Sequence, residues 1–142
     1  MMVLVDTPVW SLALRRKSRD LNSEEYRLTQ ALANLIAEGR AQITGPVRQE
    51  LLSGIRNEQR FHQLREYLRA FDEPGLEVED FEEAAAMHNR CRARGIAGSP
   101  IDFLICAAAH RRHWAIFTTD YDFQEYSRVL PLRLYSCEQA CC

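Results

Sequence analysis

The chain has 142 residues, of which 46% are hydrophobic, and a formal charge of −2 at pH 7. That length suits a single domain spanning residues 1–142 with a sizeable core. The charge excludes a broad basic face for nonspecific duplex DNA binding, so any nucleic acid has to be held by a local patch.

The N-terminal run "MVLV" (Met2 to Val5) reads as a buried strand stopped by Asp6. It has no basic lead-in and is too short for a signal peptide or a membrane span, so a cytoplasmic location is expected. A short helix follows from Pro8 through "VWSLALRR", since proline is tolerated where a helix begins. Ser23 is the expected cap of a long helix carrying Tyr26, Leu28, Leu32, Leu35 and Ile36, and Gly39 ends it. "AQIT" reads as a second strand, and Gly45-Pro46 introduces the helix "VRQELLSGI". Another amphipathic helix is expected from Glu58 to Phe71, broken by "EPG".

"LEV" (Leu76 to Val78) reads as a third strand, and the spacing of Asp80 and Glu83 as a capping box for the helix "FEEAAAMHNRCRAR". Ser99-Pro100 opens the helix "IDFLICAAAHRRH". The strand "AIFTT", a turn of helix at Phe123 to Tyr126 and a last strand "LRLY" complete the order. Strands alternating with helices predict an α/β fold, a three-layer α/β/α sandwich around a mainly parallel sheet.

The five cysteines fit no disulfide framework. Cys91 and Cys106 fall in helical patterns as small core residues, and Cys137, Cys141 and Cys142 crowd the tail as reduced thiols. The histidines, His62, His88, His110 and His113, lack metal-ligand or triad spacing, and there is no phosphate-cradling glycine loop.

Acids recur at element junctions. Asp6 ends the first strand; Asp120 ends the fourth, with Asp122 just beyond; Glu50 and Asp102 lie near helix starts. In a parallel sheet the strand C-termini and following helix N-termini share one edge, where open α/β folds place their ligands. Carboxylates gathered there repel unless a divalent cation lies between them, and Mg²⁺ or Mn²⁺ accepts such an all-oxygen set. The cation can activate a water and stabilise the leaving oxygen of a phosphodiester. Singly, each acid also has a structural use: Asp102 is a capping-box acid behind Ser99, Glu50 a solvated helix residue, and Asp120 and Asp122 turn formers. Only Asp6, directly after a buried strand, has no evident structural use.

"VLVDTPVW", "ITGPVRQELLSG", "SPIDFLICAAA" and "IFTTDYDF" resemble, in order, the acidic motifs of PIN-domain ribonucleases, most closely the VapC-type toxins of bacterial toxin–antitoxin pairs. The resemblance implies a Mg²⁺- or Mn²⁺-dependent endoribonuclease whose metal-binding, catalytic acids are Asp6, Glu50, Asp102 and Asp120. It gives Asp122 an auxiliary role and Thr7 and Thr118 supporting ones. Pro8 departs from the serine that many members carry there. The implied partners are an RNA substrate, a small antitoxin covering the acidic edge and a second copy in a homodimer, with no membrane. Arg48 and either Arg15 or Arg16 are the expected phosphate contacts. Two other readings stay open: an aspartyl phosphoacceptor domain, and a catalytically silent PIN-like module that binds RNA or protein.

Overall fold

The computed structural model describes residues 1–71, 73 and 75–137. Strand β1 (Val3–Val5) lies between β2 (Ala41–Gln42) and β3 (Ala115–Phe117), and both pairings are parallel. Val3, Leu4 and Val5 are all fully buried. Successive strand residues point to opposite faces, so the sheet is covered on both and the sandwich has three layers.

The helices are α1 (Thr7–Leu14), α2 (Ser23–Ala37), α3 (Gly45–Leu52), α4 (Glu58–Leu68), α5 (Val78–Ala93), α6 (Pro100–Arg112) and α7 (Asp122–Tyr126). Helix α6 packs on β1, β3 and α5, while α1 packs on α2 and α3. The buried run Ile105 to Ala109 makes α6 apolar around much of its circumference, as a helix pressed between sheet and helix should be. Trp10 anchors α1: its indole N–H donates to the Val5 carbonyl at 3.0 Å, and Phe71 meets its ring edge-on at 5.1 Å.

Several expected elements shift. The cap of α2 is Asn22, which forms a capping box with Glu25, rather than Ser23. "LEV" is no strand: Glu77 caps α5 and Val78 is already helical. Asp80 is therefore the third residue of α5, accepting the Glu77 N–H at 2.8 Å, and does not form a box with Glu83, which pairs with Arg90. The last strand shrinks to one parallel bridge, Ile116 to Leu134, because β3 offers it only Ile116 as a partner. Cys91 and Cys106 are buried and free, as expected. Cys141, Cys142 and the Pro74 of the expected break lie outside the described residues.

Candidate metal centre

All the junction acids occupy the C-terminal edge of the sheet, each placed by a local device. Asp6 is the N-cap of α1 and accepts the Thr7 backbone N–H at 2.8 Å, so it has a structural use the sequence did not reveal. The same threonine donates its hydroxyl to Glu50 Oε2 at 2.9 Å, joining α1 to α3. Thr118 makes the matching link on the other side. Its hydroxyl donates to Asp6 Oδ2 at 2.8 Å and accepts the Asp120 backbone N–H at 3.0 Å. Asp120 Oδ1 in turn accepts the Asp122 N–H at 2.9 Å.

Asp102 separates its backbone from its side chain. Its N–H is capped by Ser99 Oγ at 3.1 Å, while its carboxylate accepts the Tyr126 hydroxyl at 2.7 Å. Tyr126 is fully buried, and sequence reasoning missed it. Nothing local marks a tyrosine four residues after Asp122 as the support of an acid on another helix. Its position depends on Gly98, where an added Cβ would lie 2.5 Å from the tyrosine oxygen.

Among the described residues, Asp102, Asp120 and Asp122 each present a carboxylate oxygen within 4.8 Å of the others. Asp122, expected as an auxiliary, thus belongs to the tightest triplet, whereas both Asp6 oxygens are engaged by Thr7 and Thr118. Burial pushes the Asp6 carboxyl up to about 6, with Asp102 and Glu50 adding repulsion. Burial also raises Asp102, which feels Asp120 and Asp122. The acids therefore form a coupled chain from Glu50 through Asp6 and Asp102 to Asp120 and Asp122.

None of these five acids has an ion pair among the described residues. The donors are carboxylate oxygens without histidine or thiolate, a set that fits a hard divalent cation such as Mg²⁺ or Mn²⁺. The histidines do other work; His88, for example, stacks on Phe103 at 4.7 Å. Of the expected phosphate contacts, Arg48 lies 3.6 Å from Glu73 and Arg16 3.0 Å from Glu25, leaving Arg15 without a carboxylate partner among the described residues.

A family profile described as PIN domain matches residues 3–129. The chain is similar in fold to one from the structure of VapBC2 of Rickettsia felis bound to a DNA fragment from their promoter. There the TM-score is 0.74 at 18% identity, over 95% of this chain and 98% of that one. A chain of FitAcB from Neisseria gonorrhoeae gives 0.71 at 20% identity, over 96% and 99%. One from a toxin–antitoxin complex of Klebsiella pneumoniae gives 0.67 at 17% identity, over 85% and 89%.

Proposed function

The chain belongs to the PIN-domain family, and from that premise we propose that it is a Mg²⁺- or Mn²⁺-dependent endoribonuclease, the toxin of a toxin–antitoxin pair. The observation that carries the reading is the row of acids at the sheet edge, without an ion pair among the described residues and tied together by Thr7 and Thr118. Carboxylates held within a few ångströms without a counter-ion make a poor scaffold and a good cation cradle.

Asp6, Glu50, Asp102 and Asp120 would hold the cation, with Asp122 beside the last two. When bound, it supplies Lewis acidity and charge neutralisation at an RNA phosphodiester. The protein's own part is orientation. Thr118 fixes Asp6 against Asp120, Thr7 fixes Glu50, and Tyr126 fixes one oxygen of Asp102. Ionised Asp6 is needed for a cation, and a carboxyl titrating at about 6 is mostly ionised at neutral pH. The similar folds in VapBC2 and in a toxin–antitoxin complex support a small antitoxin partner, and we place it over this edge.

Inducible expression in a bacterium, wild type against Asp6→Asn, tests the reading together with RNA cleavage by both purified proteins in Mn²⁺. Wild type should arrest growth and cut RNA, and the variant should do neither. Equal growth at equal soluble levels, or RNA binding without cleavage, counts against it.

A further inference from the structure

At the C-terminal end of α1, whose N-cap is Asp6, and just past the end of α3, which carries Glu50 in its last turn, lies a cavity of about 620 Å³, lined by Arg15, Arg56, Arg60, Ile55, Leu64 and Tyr67. We infer that this cavity is a nucleotide subsite for single-stranded RNA, its arginines holding backbone phosphates and Tyr67 stacking a base on the strand that leads to the acidic edge. The inference rests on the ribonuclease reading and adds where the strand runs.

Position is the first argument. Asp6 caps the start of α1, and Arg15 caps its end. Glu50 lies in the last turn of α3, and Ile55 and Arg56 come after Ser53 and Gly54. Helices α1 and α3 pack together, so the cavity and the acids are joined by about 12 Å of helix.

Charge is the second. The neighbouring arginines on these elements are neutralised: Arg16 by Glu25, Arg48 by Glu73, and Arg65 and Arg69 by Glu66. Arg15, Arg56 and Arg60 have no ion pair among the described residues and are exposed around one concavity. An acidic edge on a chain of net charge −2 repels RNA, so binding needs a cationic point of this kind nearby. The guanidinium fork suits phosphate oxygens.

The aromatic ring is the third. Tyr67 is 42% exposed beside the arginines, yet its ring is braced edge-on by Phe71 at 5.5 Å. A fixed, half-open aromatic over an apolar floor of Ile55 and Leu64 is a stacking platform for an unpaired base, which a duplex would not offer.

The test is binding of a short, mixed-sequence single-stranded oligoribonucleotide in EDTA, across salt concentrations, followed by cleavage kinetics in Mn²⁺. The triple variant Arg15→Gln, Arg56→Gln, Arg60→Gln should bind more weakly, with its log–log salt slope smaller by about 2. Tyr67→Ala should weaken binding about tenfold with the slope unchanged, and Tyr67→Phe should restore it. In cleavage, KM should rise while kcat at saturation holds, and the melting shift with Mn²⁺ should persist. Arg133→Gln removes one positive charge beside the C-terminal end of α6, opposite Asp102, and should behave as wild type. Wild-type binding and slope in the triple variant, with the parent cleaving RNA, overturn the subsite and leave the ribonuclease reading standing. A parent that neither binds nor cleaves RNA overturns both. Loss of polyglutamate binding by the triple variant with RNA binding intact makes the cavity a protein-docking site and also overturns the proposal.

Discussion

Tyr126 and Asp102 show how much of the centre rests on single contacts. The tyrosine hydroxyl has one hydrogen, and one oxygen of Asp102 receives it at 2.7 Å, in a carboxylate that also lies against Asp120 and Asp122. Tyr126→Phe keeps the ring packing against Phe103 and Phe123 and removes only that bond. A hydrogen bond to a charged group contributes about 1.5–3 kcal/mol, and the lower end applies here because Asp102 is only partly buried. Urea denaturation without metal should register that loss. A structural role alone would stop there. A positioning role also predicts a weaker Mn²⁺ affinity and a lower kcat, because Asp102 then samples other rotamers; unchanged Mn²⁺ affinity in Tyr126→Phe would exclude it.

At the scale of elements, the start of α5 is tied to the end of α6 by Asp80. Its fully buried carboxylate receives Arg111 at 2.7 Å and Arg112 at 2.7 and 2.8 Å. The Arg112 bond, the largest influence, holds the Asp80 carboxyl well below the usual carboxylate range despite burial. A depressed pKa contributes stability that is present above the unfolded value, about 3.9, and is lost as pH falls below it. Asp80→Asn should therefore cost about 3 kcal/mol at neutral pH. Denaturant midpoints should converge with wild type as pH drops from about 4 toward 2; a constant gap across that range would refute the linkage. The same residue marks where the sequence stops being legible. Glu77–Asp80 and Asp80–Glu83 have identical spacing, and what selects the first is a pair of arginines thirty-one and thirty-two residues downstream. Helix α6 was readable because Ser99 and Pro100 are local signals, as were β1 and β3 from their apolar runs. The final strand was not, since pairing depends on what β3 can offer it. In the centre, the acids and both threonines lie in motifs that could be read in order, whereas Tyr126 depends on space at Gly98.

Over the whole molecule, folding gathers five acids at one edge with no ion pair among the described residues, and the chain bears that repulsion. Asp6 gives the sign. Burial raises its folded carboxyl to about 6. Its contribution to stability is thus fully present below the unfolded pKa, about 3.9, and is lost as pH rises through about 6. At neutral pH the metal-free protein carries that penalty, which a divalent cation bound at the acidic edge would relieve. Mg²⁺ or Mn²⁺ at roughly 100 times its dissociation constant should add about 2.7 kcal/mol, read as a rise in Tm. Below pH about 6 the proton competes for Asp6, so the rise should shrink. Asp6→Asn removes the charge but keeps an oxygen for the Thr7 N–H. Without metal at neutral pH this variant should melt no lower than wild type, and it should gain less from Mn²⁺. A wild-type Tm indifferent to millimolar Mg²⁺ and Mn²⁺, or an Asp6→Asn protein that gains as much as wild type, would mean that the acidic edge is not the place where a cation binds.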